Sequence, residues 1–543
     1  MSVVPTDNGE IKDKTTFFCG FSEKLLKDFF VLFSQIDADF VFRIAHLFKG
    51  VPANQICVKP KRKTMEHIII IGAGMAGLTA GALLAEQGKK VTILEKNWLP
   101  GGCSSSYPRK HYIFESGATT LVGLDKNMPL RYVLDKTGIQ FPAEKLEIPM
   151  KVYLQNGTEI TRFQDINEWI AEAERVFGAK NQRPFWEKCL DISQAVWKIS
   201  LQQTTFPPSS FRDLWGLVRN FRPFQLLYAR YAFMSVQQLL EKYELDKNAD
   251  FQAFVNEQLL ITAQNTVAQV NMLFGATALC YTNFDNYYVP GGLLNMVQPF
   301  VEYISQKGGQ VKLRTEVQKV FPQKKGYLVQ TPTQNYLCDK VLFAIPINDA
   351  LAIFENDAVK AKFQSKIFTS EQVNGAFTMG AVFHRKKDFP CIHHQIHLEK
   401  PLIYTGSHSI FVSTSRSNDL LRCKENEIVI NISTHVPDPA HTFITDKSLI
   451  EAEIFEILEK RTLFYRKDLI FHHASTPKSW QKWTSRKWGF VGGYPQYLHI
   501  KPWQMIDARL DGKGAFICGD STYPGQGIPG VVLSGIVAVE KMK

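Results

Sequence analysis

Paired cysteines are missing from this sequence. Its nine cysteines are scattered along 543 residues, are odd in number and include no CxxC motif. This pattern argues against a disulfide framework and indicates buried thiols in a reducing compartment. The segment CIHHQIH, from Cys391 to His397, lacks the spacing of a known zinc site, so we expect no bound metal and place these side chains in a strand near the substrate cavity.

A long apolar run is also missing from the N-terminal extension. Residues 17–50 are rich in Phe and Leu, but charged residues interrupt them before any run reaches the ~18 apolar residues of a membrane-spanning helix. The helical spacing predicts two helices, which either cap the globule or lie on a membrane surface. A signal or transit peptide is disfavoured by early acidic residues, namely Asp7, Glu10, Asp13 and Glu23.

The charge balance is basic, with 63 Lys and Arg against 52 Asp and Glu, a net charge of +11 and a pI near 9.0. No recognised nucleic-acid-binding motif of aromatic and basic residues appears, so an anionic membrane is the better partner. Residues 211–240 combine aromatic and aliphatic side chains with arginines. This segment predicts either an interfacial element that enters a leaflet or the wall of a large apolar cavity. We therefore expect a cytoplasmic protein with peripheral membrane contact and a long apolar ligand.

The chain is organised around residues 67–103. Four isoleucines, Ile68–Ile71, predict a strand that is buried on both faces. Gly72, Gly74 and Gly77 follow with GxGxxG spacing, which permits a tight turn, close approach to a pyrophosphate and close helix packing, respectively. A compact helix and a second strand ending in Glu95 complete the unit. This order predicts a dinucleotide site, and a carboxylate at the ribose hydroxyls would repel the 2′-phosphate of NADP.

The next residues indicate which dinucleotide binds. Gly101 and Gly102 can bring the backbone close to a cofactor that extends past its pyrophosphate. A glycine-rich turn, an acid and then a Gly-Gly pair resemble the signature of the two-dinucleotide-binding flavoproteins. The resemblance implies FAD. Glu115, which precedes Gly117 by two positions, resembles an acid of that family with a structural or cofactor-proximal role.

Two later blocks make the resemblance more specific. These are YYVPGGLLNMVQPFVEYISQKGGQVKLRTEVQKV and GAFICGDSTYPGQGIPGVVLSGIVAVEKM. Both resemble segments of the phytoene desaturase and carotenoid isomerase family, and the whole resemblance covers roughly residues 65–543. The resemblance implies a strand containing Val317 that contacts the adenine side. Asp520 can accept from ribityl hydroxyls, and a helix starting near Ile528 can direct its positive end at the flavin. The cofactor-binding residues that we predict are Gly72, Gly74, Ala76, Gly77, Glu95, Lys96, Gly101, Gly102, Cys103, Val317, Gly519, Asp520, Gly525, Gly527 and Ile528.

The predicted fold class is α/β, with a Rossmann-like FAD-binding domain, an inserted mixed α+β substrate domain and an N-terminal helical extension. The predicted boundaries are 1–64 for the extension and basic linker, 65–150, 286–346 and 486–543 for the FAD-binding segments, and 151–285 and 347–485 for the substrate domain.

The leading functional hypothesis is an FAD-dependent oxidoreductase of the phytoene desaturase type, in which a long apolar polyene loses a hydride to the flavin. One alternative is a carotenoid cis-trans isomerase that uses reduced FAD. Others are an amine-oxidase-like flavoenzyme and a non-catalytic carrier of prenyl lipids. The sequence assigns no catalytic acid or base and no oligomeric state.

Overall fold

Twenty β-strands and fifteen α-helices form in residues 65–543, the part of the chain that the structure, a computed structural model, describes. The helices and linker predicted in residues 1–64 lie outside the described residues. The strands are β1 (His67–Ile71), β2 (Lys90–Leu94), β3 (Ser106–Arg109), β4 (Tyr112–Glu115), β5 (Leu121–Val122), β6 (Glu144–Lys145), β7 (Met150–Tyr153), β8 (Glu159–Arg162), β9 (Asn286–Tyr288), β10 (Gln310–Lys312), β11 (Lys319–Pro322), β12 (Tyr327–Gln330), β13 (Asn335–Cys338), β14 (Lys340–Phe343), β15 (Asn374–His384), β16 (His393–His397), β17 (Ser409–Thr414), β18 (Glu427–Pro437), β19 (Leu469–Ser475) and β20 (Ala515–Ile517). The helices are α1 (Met75–Glu86), α2 (Pro129–Thr137), α3 (Ile166–Phe177), α4 (Gln182–Gln202), α5 (Phe211–Arg219), α6 (Gln225–Ala229), α7 (Val236–Lys242), α8 (Ala249–Ala263), α9 (Met272–Leu279), α10 (Leu294–Gln306), α11 (Ile347–Ile353), α12 (Asp357–Phe363), α13 (Lys447–Lys460), α14 (Pro477–Thr484) and α15 (Gly527–Met542).

A five-stranded parallel sheet forms the centre of the nucleotide-binding fold. Its strand order is β10-β2-β1-β14-β20, so it joins strands that are far apart in sequence. The isoleucines of β1 are all buried, because this strand lies inside the sheet and is covered on both faces. The predicted Rossmann-like α/β class is therefore confirmed.

Helices α1 and α15 lie together against this sheet. At Gly535, in α15, an added Cβ would come within 2.7 Å of the carbonyl oxygen of Ala76 in α1. The helix backbones are thus too close for a side chain at that point, as the small residues of the sequence lead one to expect. Among residues 65–543, no helix is both long enough and apolar enough to cross a bilayer.

The second large sheet has seven strands in the order β19-β15-β18-β17-β16-β7-β8. Its strands pair antiparallel except β16 and β7, which are parallel. The alternating segment KVYLQNGTEITRF, with Asn156-Gly157 at its centre, predicts a hairpin. Strands β7 and β8 form this hairpin, with Gly157 at φ +88° in its turn. The loop closes with a 2.9 Å hydrogen bond from Leu154 N to Thr158 O.

Helices α3, α4, α8 and α9 pack with this sheet around a second apolar core. The pattern of the segment INEWIAEAERVF predicts a helix, and this segment forms α3. Arg162 of β8 is fully buried in this core, where its guanidinium lies 4.0 Å from the ring centre of Trp169. It donates 2.7 Å hydrogen bonds to Leu279 O and Thr282 Oγ1, so the buried cation is paired with polar groups.

The prediction that Val317 lies in a strand is wrong. Strand β10 ends before it, and Val317 lies in the irregular connection to β11, half-buried. The chain leaves the sheet because its next N–H groups bond the loop after β2, with Arg314 N donating to Asn97 O (2.9 Å) and Thr315 N to Glu95 O (2.8 Å). Arg314 has φ +53°, which turns the backbone away from the strand direction.

Candidate functional site

The carboxylate of Glu95 lies at the end of β2, beside the glycine-rich turn after β1. It accepts N–H donors from Ala73 (2.7 Å) and from Asn97 (2.8 Å). Gly72 N in turn bonds Leu94 O at 2.8 Å, so the two strand ends are held together. Burial raises the pKa of Glu95, and the two N–H donors only partly offset this effect. Each carboxylate oxygen has acceptor capacity left for further donors, such as ribose hydroxyls.

The backbone at Gly74 faces open space. No heavy atom lies within 4 Å of the position that a Cβ would occupy there, although α1 starts at the next residue. Gly101, at φ +102°, runs beside this turn and donates from its N to Ala73 O at 2.8 Å. Gly102 follows it, and a Cβ at Gly102 would meet only the Gly74 Cα, at 3.5 Å. Gly74 and Gly102 thus leave the backbone open at the start of a helix, which is suited to an anion.

A buried ion pair lies where the loops after β2, α14 and β20 meet. The Arg486 guanidinium is 2.5 Å from the Asp520 carboxylate and 3.6 Å from Cys103 Sγ, and it lies 4.5 Å from the ring centre of Phe490. Burial lowers the pKa of Arg486, but the neighbouring Asp520, Cys103 and Asp349 together outweigh this effect, and the net shift is upward. Burial raises the pKa of Cys103, so its thiol stays protonated.

The loop between β20 and α15 is tied to the helix that follows it. Gly519 N donates to Ser534 Oγ (3.0 Å), and Thr522 Oγ1 donates to Gly519 O (2.8 Å). Three glycines of the loop have positive φ, with Gly519 at +127°, Gly525 at +117° and Gly527 at +79°. The loop therefore depends on glycine to bring its backbone round to the N-terminus of α15.

The side chain of Gln526 precedes α15 and has no partner for its amide. Both Nε2 and Oε1 are buried without a hydrogen bond within residues 65–543. Ile528 beside it is buried, and the Cβ position of Gly519 has no heavy atom within 4 Å, as at Gly74. A buried amide can bond a flavin edge, and open glycine backbones can approach a dinucleotide. The residues present therefore fit a flavin dinucleotide.

Two other predicted site residues serve packing. Ala76 is buried in α1, where it meets α15 at Gly535. At Gly77, an added Cβ would collide with Gly72 O and lie 2.9 Å from the Cβ of Ala344. Their small size allows the turn and the two helices to pack closely.

Lys96 lies at the rim of the site. Its Nζ pairs with Glu316 at 2.8 Å, and its side chain is half exposed. Direct hydrogen bonds join the segments of Gly72, Glu95 and Gly101, whereas Arg486 links Cys103 to Asp520. Arg486 was missed by the sequence analysis, although it lies in the segment TSRKWGF, which resembles the connection back to the flavin domain in the related family.

A second buried ion pair holds the turn before α10. Arg422 lies 3.3 Å from Glu115, and the other carboxylate oxygen of Glu115 accepts from Leu293 N at 3.2 Å. Asp419 accepts from Gly291 N at 2.8 Å. These contacts favour the structural alternative for Glu115, because its carboxylate is occupied by the protein itself.

The histidines of β16 are buried and uncharged. Burial lowers the pKa of His393 to about 3 and that of His394 and His397 to about 4. His393 Nδ1 lies 2.9 Å from Ser413 Oγ, which donates to Thr119 Oγ1 at 2.8 Å. His393 is thus part of the hydrogen bonding between the sheet and the loop after β4.

Comparisons with known proteins agree with this geometry. Residues 75–543 match the family model of flavin containing amine oxidoreductases. The chain is 22% identical to the chloroplastic prolycopene isomerase of Daucus carota, over 97% of this chain and 86% of that protein. It is 21% identical to a 4,4′-diapophytoene desaturase of Staphylococcus aureus, over 88% of this chain and 98% of that one.

The fold is also that of solved flavoproteins. A cofactor-binding variant of putrescine oxidase superposes with a TM-score of 0.59 at 15% identity, covering 88% of this chain and 98% of that chain. At this identity the likeness concerns the fold alone. Because the family model spans most of the chain and the site fits the dinucleotide, the protein belongs to the flavin-containing amine oxidoreductase family and is an FAD-dependent oxidoreductase.

Proposed function

We propose that the protein removes a hydride and a proton from a long apolar polyene in a desaturation of the phytoene desaturase type, with FAD as the hydride acceptor and the proton released to solvent. The observation that carries the proposal is the meeting of Glu95, the open turn at Gly74 and the Arg486–Asp520 pair in a fold of this family. The substrate class is supported by relatives that are named as a prolycopene isomerase and a 4,4′-diapophytoene desaturase. Both align with this chain over most of their length.

We assign the cofactor contacts as follows. Glu95 would accept from the ribose hydroxyls, and the free N–H groups at the start of α1 would bind the pyrophosphate beside Gly74 and Gly101. Asp520, paired with Arg486, would accept from ribityl hydroxyls. The Gln526 amide would bond the edge of the flavin at the N-terminus of α15. When bound, FAD accepts a hydride from the substrate or returns one to it.

The proposed domain boundaries follow from the same assignment. All five strands of the parallel sheet fall in the segments 65–150, 286–346 and 486–543, and β15 to β19 fall in 347–485. The polyene would lie between the two parts. Its binding would come from the burial of apolar surface, because it offers few groups for hydrogen bonding.

Isomerisation with reduced FAD is the second candidate. The prolycopene isomerase of Daucus carota aligns over 97% of this chain, a larger share than the 88% covered by the desaturase. Both reactions require the same cofactor site and the same substrate class, so the redox balance of the reaction has to separate them.

The test is an anaerobic absorbance spectrum of the purified holoenzyme before and after the addition of phytoene, a carotenoid precursor, in liposomes. Desaturation bleaches the oxidised flavin while the polyene absorption moves to longer wavelength, because conjugation is extended. A cis carotene that changes only after prior reduction of the flavin, with the flavin staying reduced, indicates isomerisation. A protein without flavin bands would contradict both and favour the lipid carrier.

A further inference from the structure

Helix α5 is amphipathic, but its apolar side faces outward and its acidic residue is buried. Its acidic residue, Asp213, is 1% exposed, whereas Phe211, Trp215 and Val218 are 61%, 63% and 62% exposed. These three apolar residues follow a spacing of four and three residues and therefore lie on one side of the helix. A helix on the surface of a globular protein normally has its polar side outward. The exposed apolar side thus points to a partner that covers it.

The orientation of α5 is fixed by ionic contacts beneath it. Asp213 pairs with Arg509, and its carboxylate also lies 3.7 Å from the buried Lys541 near the end of α15. Ser209 N donates to the same carboxylate at 3.0 Å, and Ser210 caps the helix by accepting from Asp213 N at 3.2 Å. A rotation that buried the aromatic side chains would break these bonds and leave buried charges without partners. The apolar face is therefore held outward.

The segment that follows α5 also exposes apolar and basic side chains. We call the exposed side chains of residues 211–233 the α5 face. Its other exposed apolar side chains are Phe221, Leu227 and Phe233. Its exposed arginines are Arg212, Arg219, Arg222 and Arg230. Asp213 is the one acid in the sequence between residues 209 and 233, and it is buried.

We propose that the α5 face binds an anionic lipid bilayer. Aromatic side chains would enter the region between headgroups and acyl chains, while the arginines remain at the phosphates. The α5 face mixes large apolar groups with charges of one sign, and this mixture suits a bilayer better than a protein partner. The core of a protein–protein interface is depleted in charged residues. The inference deepens the proposed function, since an apolar polyene is stored in bilayers, but vesicle binding can be measured without any turnover.

The test is cosedimentation of the full-length holoenzyme with vesicles of phosphatidylcholine alone and with phosphatidylglycerol added. One variant carries Phe211→Ser, Trp215→Ser and Val218→Ser, and a second carries Arg212→Gln, Arg219→Gln and Arg222→Gln. The control carries Leu337→Ser and Phe443→Ser, which remove side chains that are 71% and 73% exposed elsewhere. Far-UV circular dichroism and flavin content verify the fold of each protein.

The wild type and the control should bind the anionic vesicles. Each triple variant should bind them more weakly, by a factor of about ten or more. Binding by the wild type should also fall with added salt, because the arginine contribution is screened. Equal binding by all four proteins would overturn the proposal. So would a wild type that ignores vesicles but forms dimers that the first variant abolishes, since the face would then be a contact between two copies.

A third measurement separates this inference from the proposed function. Polyene turnover of the first variant in detergent micelles should equal that of the wild type, because α5 is outside the proposed cofactor site. If neither protein turns over a polyene, the proposed function fails while the binding result is still decisive for the α5 face.

Discussion

The guanidinium of Arg486 lies 2.5 Å from the carboxylate of Asp520, and both side chains are largely buried. The two residues belong to different loops, after α14 and after β20, and the same guanidinium reaches Cys103 in the loop after β2. One cation therefore joins the three loops that surround the proposed cofactor site.

Removal of this cation should destabilise the fold. We expect Arg486→Gln to lower the free energy of unfolding by about 3–5 kcal/mol, because Asp520 is left buried and unpaired. Denaturant unfolding of the apoprotein measures this loss. Adding Asp520→Asn to the variant should recover part of it, since the unpaired charge is removed. Losses that simply add in the double variant would show that the two side chains are not energetically coupled.

Two glycines of the GxGxxG motif should respond differently to valine. At Gly74 the backbone has φ −69° and the Cβ position is open, so Gly74→Val should fold normally and lose FAD because its side chain occupies the pyrophosphate position. At Gly77 a Cβ collides with Gly72 O, so Gly77→Val should lose at least about 1–3 kcal/mol of stability. Flavin content and the unfolding of the apoproteins separate the two effects. Stoichiometric FAD in Gly74→Val would contradict the site assignment.

The carboxylate of Glu95 should be required for tight binding of FAD. Glu95→Gln keeps one oxygen but loses the charge, and the loss of about 1.5–3 kcal/mol predicts a Kd raised about 10- to 100-fold. Glu95→Arg should abolish binding, because a large cation replaces the acceptor. The matched control is Glu86→Gln, at the exposed end of α1, where the carboxylate pairs with Lys307. Flavin fluorescence titration of the apoproteins gives the Kd values, and equal values for Glu95→Gln and the control would refute the role of Glu95.

The carboxyl group of Asp349, in α11, should make the stability pH-dependent. Burial raises its pKa to about 6, although Arg486 and the N–H of Lys487 act in the opposite direction. A carboxyl group whose pKa is raised in the folded state binds its proton more tightly there, so its ionisation costs stability as the pH rises from about 4 to 6. Asp349→Asn keeps an acceptor for the 3.1 Å bond from Lys487 N and removes this cost.

The free energy of unfolding of Asp349→Asn, relative to the wild type, should therefore increase between pH 4 and pH 6 and stay constant above pH 7. The comparison of the two proteins cancels the titration of all other groups. A difference that does not change with pH would show that Asp349 ionises normally in the folded protein.

Much of the fold followed from patterns that act over a few residues. The isoleucines of β1, the glycine turn, the helix α3 and the β7–β8 hairpin form where the sequence predicted them, because propensity, apolar periodicity and turn geometry agree there. Val317 was misplaced for the opposite reason. The local pattern suits a strand, but backbone bonds to the loop after β2 end the strand first.

The sequence by itself determined the nucleotide-binding unit, the α/β class and the flavin family, since these depend on glycines, acids and apolar runs at fixed spacings. Only the tertiary structure decided which distant charges are buried together, as in Arg486 with Asp520 and Asp213 with Arg509. It also decided which way α5 faces, where the sequence allowed either a cavity wall or an exposed surface. A periodic pattern specifies two sides of a helix, but the partners that each side meets come from remote parts of the chain, and here the buried pairing of Asp213 turns the aromatic side outward.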